Sequence, residues 1–262
     1  MNEVSDTVTV RRQYATADHL NTRISIHDKY STNKTGFANW IFSNYQIDHD
    51  MTVLELGCGT GIMWKNRDDL IANCSQLVLS DFSEGMIETA KSNIGCHDHL
   101  TWQVIDIQDI PYENESFDMV IANMMLYHVP DINKALSEVS RVLKRGGCFY
   151  CATYGENGIM EYLSEILSAY GVEDHNNRNF TLQNGYAILK KVFPEVKRLD
   201  YEDSLAVTDM DDMVEYIYSL SGMTILDSVP KPEIKSILTR NTVNGILHVP
   251  KEYGMFIAEK HK

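Results

Sequence analysis

A chain of 262 residues is long enough to bury a full core, as one domain with an elaboration or as one and a half domains. Its 37 acidic against 23 basic side chains give a net charge of -14, which argues against a nucleic-acid partner gripped through its phosphates. No run approaches the roughly 18 apolar residues of a membrane span, and Met1 to Val10 lacks the basic start and apolar middle of a signal peptide, so the expected address is the cytoplasm.

In chain order, Met1 to about Thr9 reads as a frayed end. Residues 11–45 read as helical, with Leu20, Ile24 and His27 on one face and Thr35 as N-cap of a helix carrying Phe37, Trp40 and Ile41. Val53-Leu54-Glu55-Leu56-Gly57-Cys58-Gly59-Thr60-Gly61 then reads as a strand running into a glycine turn. Val53, Leu54 and Leu56 suit a strand covered on both faces. Gly57, Gly59 and Gly61 let the backbone turn sharply and come close to a ligand. Glu55 is either a paired core acid or an acid that orients the turn and a ligand's charged end. A helix is expected over Ile62 to Ala72, its N-terminus turned toward a ligand carboxylate.

Gln76 to Ser80 reads as a second strand, with Asp81 at its carboxyl end. An acid about 20 residues past a glycine turn is placed to accept from ribose hydroxyls. Ser83 is the expected cap of a helix with Met86, Ala90 and Ile94 on one stripe. Thr101 to Ile105 is a third strand, ending in Asp106-Ile107, and Phe117 to Ala122 a fourth, ending in Asn123. Asp131 caps a helix whose apolar face is Ile132, Ala135, Leu136, Val139, Val142 and Leu143, and Cys148 to Thr153 is the fifth strand. Alternating strands and helices point to a parallel sheet with right-handed crossovers.

The pattern then loosens. Gly158 to Tyr170 is amphipathic, Thr181 to Val192 reads as a helix before a sixth strand at Glu195 to Tyr201, and helices start at Asp209 and near Pro230 and Pro232. Tyr253 to Glu259 is the last strand. The expected division is a helical cap over 1–45, a cofactor-binding core over 46–154, and the rest of the sheet over 155–262 with helical lid insertions near 155–180 and 204–250. No metal site is expected. His97-Asp98-His99 occupies a short connection, and Asp209, Asp211 and Asp212 suit helix capping better than metal ligation. Cys148 and Cys151 are three apart in a strand, so their side chains point to opposite faces and make no redox pair.

The Glu-Leu-Gly-Cys-Gly-Thr-Gly turn, with Asp81, Asp106 and the run Phe117 to Asn123, resembles the class I S-adenosylmethionine-dependent methyltransferases, nearest their small-molecule, type 11/25-like branch. The resemblance covers 45–153 strongly and the rest loosely. It implies a Rossmann-like, doubly wound, mostly parallel seven-stranded sheet with an antiparallel edge hairpin strand and a helical lid. It implies S-adenosylmethionine as cofactor, with Gly57 and Gly59 at its amino-acid end, Asp81 on the ribose, and Glu55, Cys58, Gly61 and Phe82 also among its contacts. Asp106 would take the adenine amino group, Ile107 one adenine face, and Asn123 the methionine portion. Met86 either touches the adenosine or fills the core. An N-terminal segment folded over the cofactor makes Tyr14, His19, His27 and Tyr30 pocket candidates, of which Tyr14 and Tyr30 are taken as cofactor contacts.

Methyl transfer from a sulfonium is an in-line displacement in which positioning supplies much of the rate. The class needs no fixed catalytic triad, and the sequence shows none. His128 is the best-placed base if the accepting atom carries a proton, with loop hydrogen bonding as its alternative role, and Tyr127 is a second candidate. The expected partner is a small-molecule methyl acceptor, with a homodimer left open. The rival readings are an NAD(P)-dependent oxidoreductase, which leaves Asp106 unexplained, and a non-catalytic cofactor-binding protein of the same fold.

Overall fold

The computed structural model describes residues 18–220 and 224–261. Tyr14 lies outside the described residues, as does the expected frayed end. Helices α1 (Asp18–Tyr30) and α2 (Phe37–Asn44) precede the sheet. The core then runs β1 (Thr52–Leu56), α3 (Asp68–Asn73), β2 (Gln76–Asp81), α4 (Glu84–Ile94), β3 (Leu100–Val104), β4 (Phe117–Ile121), α5 (Ile132–Val142) and β5 (Leu143–Tyr154). After it come α6 (Ile159–Ile166), α7 (Gly185–Leu189), β6 (Glu195–Tyr201), β7 (Ser204–Val207), α8 (Met210–Ser219), α9 (Lys231–Arg240), β8 (Leu247–Pro250) and β9 (Tyr253–Glu259).

Seven strands form one sheet in the order β3-β2-β1-β4-β5-β9-β6. β1 to β5 are mutually parallel, and β9 is antiparallel to both β5 and β6. The expected antiparallel strand is therefore present, but it is not at the edge: it fills the slot between β5 and β6, and β6 is the edge. Successive residues of each strand go to opposite faces. Leu54, Val120 and Phe149 pack under α5 and Phe193, while Val53, Met119 and Tyr150 pack with Ile41, Trp64 and Ile71. That two-sided burial is what the unbroken apolar runs anticipated.

Three local expectations are corrected. The helix after the glycine turn does not begin at Ile62: residues 60–66 are turns, and α3 starts at Asp68 and has six residues. Asn66 sits at φ 61°, outside the helical region, and Trp64 is turned inward to donate to the carboxylate of Glu55. Thr35 and Ser83 make no side-chain caps; Gly36 holds the first N-cap position, and Asp81 accepts from the Ser83 amide instead. The span 204–250 is not wholly helical, because β7 and β8 pair as a separate antiparallel ribbon. Asp131 does cap α5, accepting from the Lys134 amide at 3.0 Å.

The lid has an apolar cluster of its own. Ile26 of α1, Leu163 of α6, Leu205 and Val249 of the ribbon, Met213 and Ile217 of α8 and Leu238 of α9 pack together. No helix among the described residues is long and apolar enough to cross a membrane.

Candidate active site

The carboxyl ends of β1, β2, β4 and β5, and the turn just beyond β3, open into one cavity of about 1100 Å³. Doubly wound sheets bind ligands at this edge. The cavity is lined by Glu55, Gly57, Cys58 and Gly59 from the turn after β1, and by Asp81, Phe82 and Met86 from the β2–α4 corner. Asp106 and Ile107 follow β3, and Asn123, Tyr127 and His128 follow β4. The sequence therefore picked out residues that the fold does bring together. The opposite wall comes from α1, α2, the segment after β5, α8 and the β8–β9 corner, including His27, Tyr154, Tyr216, Lys251 and Tyr253.

The glycine turn is held from both sides. The Cys58 amide donates to the Ser80 carbonyl at 2.8 Å, and the Gly59 amide to Asp81 Oδ2 at 2.9 Å. Gly57 and Gly59 have φ values of 77° and 56°, where glycine is favoured. A Cβ on Gly57 would lie 2.8 Å from Met125 Cγ, whereas one on Gly59 would meet nothing within 4 Å. Gly59 is thus bare backbone facing open space. Gly61 has a different job from the one expected of it. It does not line the cavity; a Cβ there would lie 2.7 Å from Ile94 Cδ1, so it lets the turn pack tightly on α4.

Glu55 is buried beneath this turn and accepts from the Trp64 indole. Loss of water pushes its carboxyl up to about 7, against the opposing pull of hydrogen bonds from Trp64 and Asn123. Of the two roles open for it, an ion pair is not what the structure gives. Asp81 is also raised by burial, while its amide donors from Ser83, Gly59 and Phe82 pull the other way. Asp106 Oδ1 accepts from the Gln108 amide at 2.9 Å, which fixes the turn after β3. The Asn123 side chain donates to the Tyr45 hydroxyl at 2.6 Å and accepts from the Ala152 amide at 3.2 Å, which fixes its orientation at the ends of β4 and β5.

Tyr30 is not a lining residue. Its hydroxyl donates to Asp212 Oδ2 at 2.6 Å on α8, and its ring packs against the lid cluster. From α1 it is Arg23, Ile24, His27 and Asp28 that reach the cavity. Burial, and then the charge of Arg23, lower His128 to about 4, leaving it neutral near pH 7. Its ring lies 4.5 Å from that of Tyr127, which lies 4.5 Å from that of Tyr154. Among the described residues no group of three or more His, Cys, Asp or Glu side chains is arranged to hold a metal. Asp209 caps α8 through the Asp211 amide at 2.9 Å.

Sequence reasoning missed several neighbours of the site. Trp64 under Glu55, Tyr45 on Asn123 and Met125 against Gly57 carried no local signal. Tyr216 and Lys251 were invisible because the segments that bring them in are distant in sequence.

Residues 54–151 match the methyltransferase domain family. Over 176 residues the chain is 34% identical to malonyl-[acyl-carrier protein] O-methyltransferase of Hahella chejuensis, covering 65% of this chain and 59% of that one. Over 111 residues it is 31% identical to demethylmenaquinone methyltransferase of Staphylococcus aureus, covering 42% and 46%. A solved structure described as a putative methyltransferase from Bacillus halodurans superposes with a TM-score of 0.60 at 15% identity, over 86% of this chain and 99% of that one. The chain spans less than two thirds of the length of the curated relatives it matches. The glycine turn and the polar strand ends that meet on one cavity all lie within residues 54–151, the stretch that matches the methyltransferase domain family.

Proposed function

We propose that the protein transfers a methyl group from S-adenosylmethionine to a small-molecule acceptor. The observation that carries this reading is the convergence of the glycine turn, Asp81 and Asp106 on a single cavity. The residues present fit the cofactor. Gly59 leaves a cradle that any Cβ would fill, and the Asp81 carboxylate, held by backbone amides, has acceptor capacity left for a ribose hydroxyl.

In this reading Glu55, Gly57, Cys58 and Gly59 hold the amino-acid end and Asn123 stands beside the methionine portion. Phe82 and Met86 flank the adenosine, Asp106 takes the adenine amino group and Ile107 one adenine face. Bound there, S-adenosylmethionine supplies an electrophilic methyl group on a sulfonium. The chain's own part is to hold the accepting atom in line, a contribution of up to ~7–11 kcal/mol in favourable cases. The lid keeps water from the site. His128, held neutral, is the candidate proton acceptor at the lid side, with Tyr127 against its ring. The cap over 1–45 and the lid pieces over 155–180 and 204–250 carry acceptor choice, and the core over 46–154 carries the cofactor. The acidic balance supports a small molecule over a nucleic acid, and the cytoplasm is the address this reading expects.

Titration calorimetry with S-adenosylhomocysteine tests the proposal. Binding is expected, and its absence at high micromolar ligand would remove the claim. Asp81→Ala should weaken binding by about tenfold or more, since a hydrogen bond to a charged group is worth ~1.5–3 kcal/mol.

A further inference from the structure

The lid half of the cavity contains a polar group that the methyl-transfer reading leaves unused. His27 of α1 lines that half, and its Nδ1 is buried without a hydrogen-bond partner among the described residues. An unsatisfied buried nitrogen is costly, and such groups in native structures call for a reason. The rings of Tyr216 and Tyr253 stand edge-on to the imidazole, with centroids 6.1 and 6.0 Å away, and both also line the cavity. Burial, and then the charge of Lys251, lower His27 to about 3. At neutral pH the ring therefore carries one donor and one acceptor nitrogen. A half-turn of the ring exchanges nitrogens for carbons, so either can be offered to a ligand.

The charges that act on His27 are already paired with each other. Lys251 forms an ion pair with Asp203, the two side chains being 2% and 0% exposed. Ser31 joins them, donating to Asp203 Oδ2 at 2.8 Å and accepting from Lys251 at 2.8 Å. Glu252, also on the cavity wall, accepts from the Asn157 amide and from Gln183 at 2.7 and 2.8 Å. At this end of the cavity aromatic rings flank the neutral His27 imidazole, the nearest ion pair and Glu252 are already engaged, and Arg23 and Asp28 of α1 share the wall. Rings flanking an unpaired imidazole match a ligand that brings an aromatic face and a single hydroxyl.

We infer that this half is the acceptor subsite for an uncharged aromatic alcohol, whose hydroxyl is oriented by a hydrogen bond to His27 between Tyr216 and Tyr253. The inference rests on the methyltransferase reading. His27 acts here as a recognition and positioning residue. Its lowered basicity makes it a poor store for the proton, so its effect is on where the hydroxyl sits.

The test uses the full chain saturated with S-adenosylhomocysteine and three matched probes: 4-methylphenol, 4-methylbenzoate and 4-methylbenzylammonium. Calorimetry should show the phenol bound in preference to the anion and the cation. His27→Phe should weaken the phenol by about tenfold or more, and His27→Gln, which restores a hydrogen-bonding group, should bring it back to within about threefold. A measurement without any variant is the long-range proton–nitrogen spectrum of the wild type, where the phenol should shift a His27 ring nitrogen. Equal affinity for the three probes, phenol binding untouched by His27→Phe, or an unmoved His27 nitrogen would overturn the inference. S-adenosylhomocysteine affinity is measured on the same samples. If it persists while the phenol fails, the subsite is wrong and the methyltransferase reading stands; if it is absent, both fall.

Discussion

Glu55 and His27 are two dehydrated titratable groups with opposite consequences. The Glu55 carboxyl moves from 4.5 up to about 7, so the folded state prefers it protonated. The stability this contributes is fully present below 4.5 and is lost as pH rises through about 7. Glu55→Gln keeps an acceptor for Trp64 and should flatten the pH dependence of urea unfolding across that window. His27 moves the other way, from 6.5 to about 3. The stability it contributes is present above 6.5 and is lost as pH falls toward 3. The sequence showed Glu55 as an anomalous charge in an apolar strand, and burial explains why it mattered. It did not separate His27 from Tyr30. Both stand on α1, and only the partner Asp212 on α8 draws Tyr30 away from the cavity.

At the scale of elements, the glycine turn divides into two kinds of glycine, and substitution separates them. Gly59→Ala adds a methyl with nothing to strike, so it should cost only the ~1–2 kcal/mol of a left-handed residue while lowering S-adenosylhomocysteine affinity sharply. Gly61→Ala drives a methyl to 2.7 Å from Ile94 and 3.3 Å from the Ala90 backbone. It should lower stability by a further ~1–3 kcal/mol of overpacking and leave the affinity of the folded fraction nearer wild type. Thermal unfolding with calorimetry on the same variants reads both. The N-terminal cap is fastened by Asp203, which accepts from Ser31, Thr32, Asn33, Ser204 and Lys251. Burial raises Asp203, and these donors more than reverse it. Asp203→Ala would strand Lys251 in the interior, a loss of ~3–5 kcal/mol for a broken buried pair. Hydrogen exchange should then rise in residues 18–44, 204–207 and 247–250 while β1 and β4 stay protected. None of this fastening was legible beforehand. β7 and β8 are four residues each and pair across some forty others, and short non-local pairings leave no periodic trace.

Over the whole molecule, the central strands β1, β2, β4 and β5 were legible because each is a run of apolar residues covered on two faces, and the site was legible where chemistry sits at their ends. The order of strands beyond β5 was not, since register with a late strand is decided by packing between segments distant in the chain. The sheet core and the lid carry separate apolar clusters, and the cavity lies where they meet. A ligand gripped by both should stabilise the folded chain as a unit, by about 2.7 kcal/mol when present at a hundred times its dissociation constant. A thermal scan with S-adenosylhomocysteine checks this; an unshifted midpoint would contradict a cavity shared between the two.

β9 lies between β5 and β6 and, among the described residues, is the only sheet partner of β6. During translation β5 and β6 leave the ribosome well before it, and neither can be zipped to the other in the meantime. The nascent chain therefore carries an unpaired parallel border at β5, a template on which a stray strand can nucleate aggregates. Chaperone demand during synthesis should accordingly concentrate in the interval before β9 emerges.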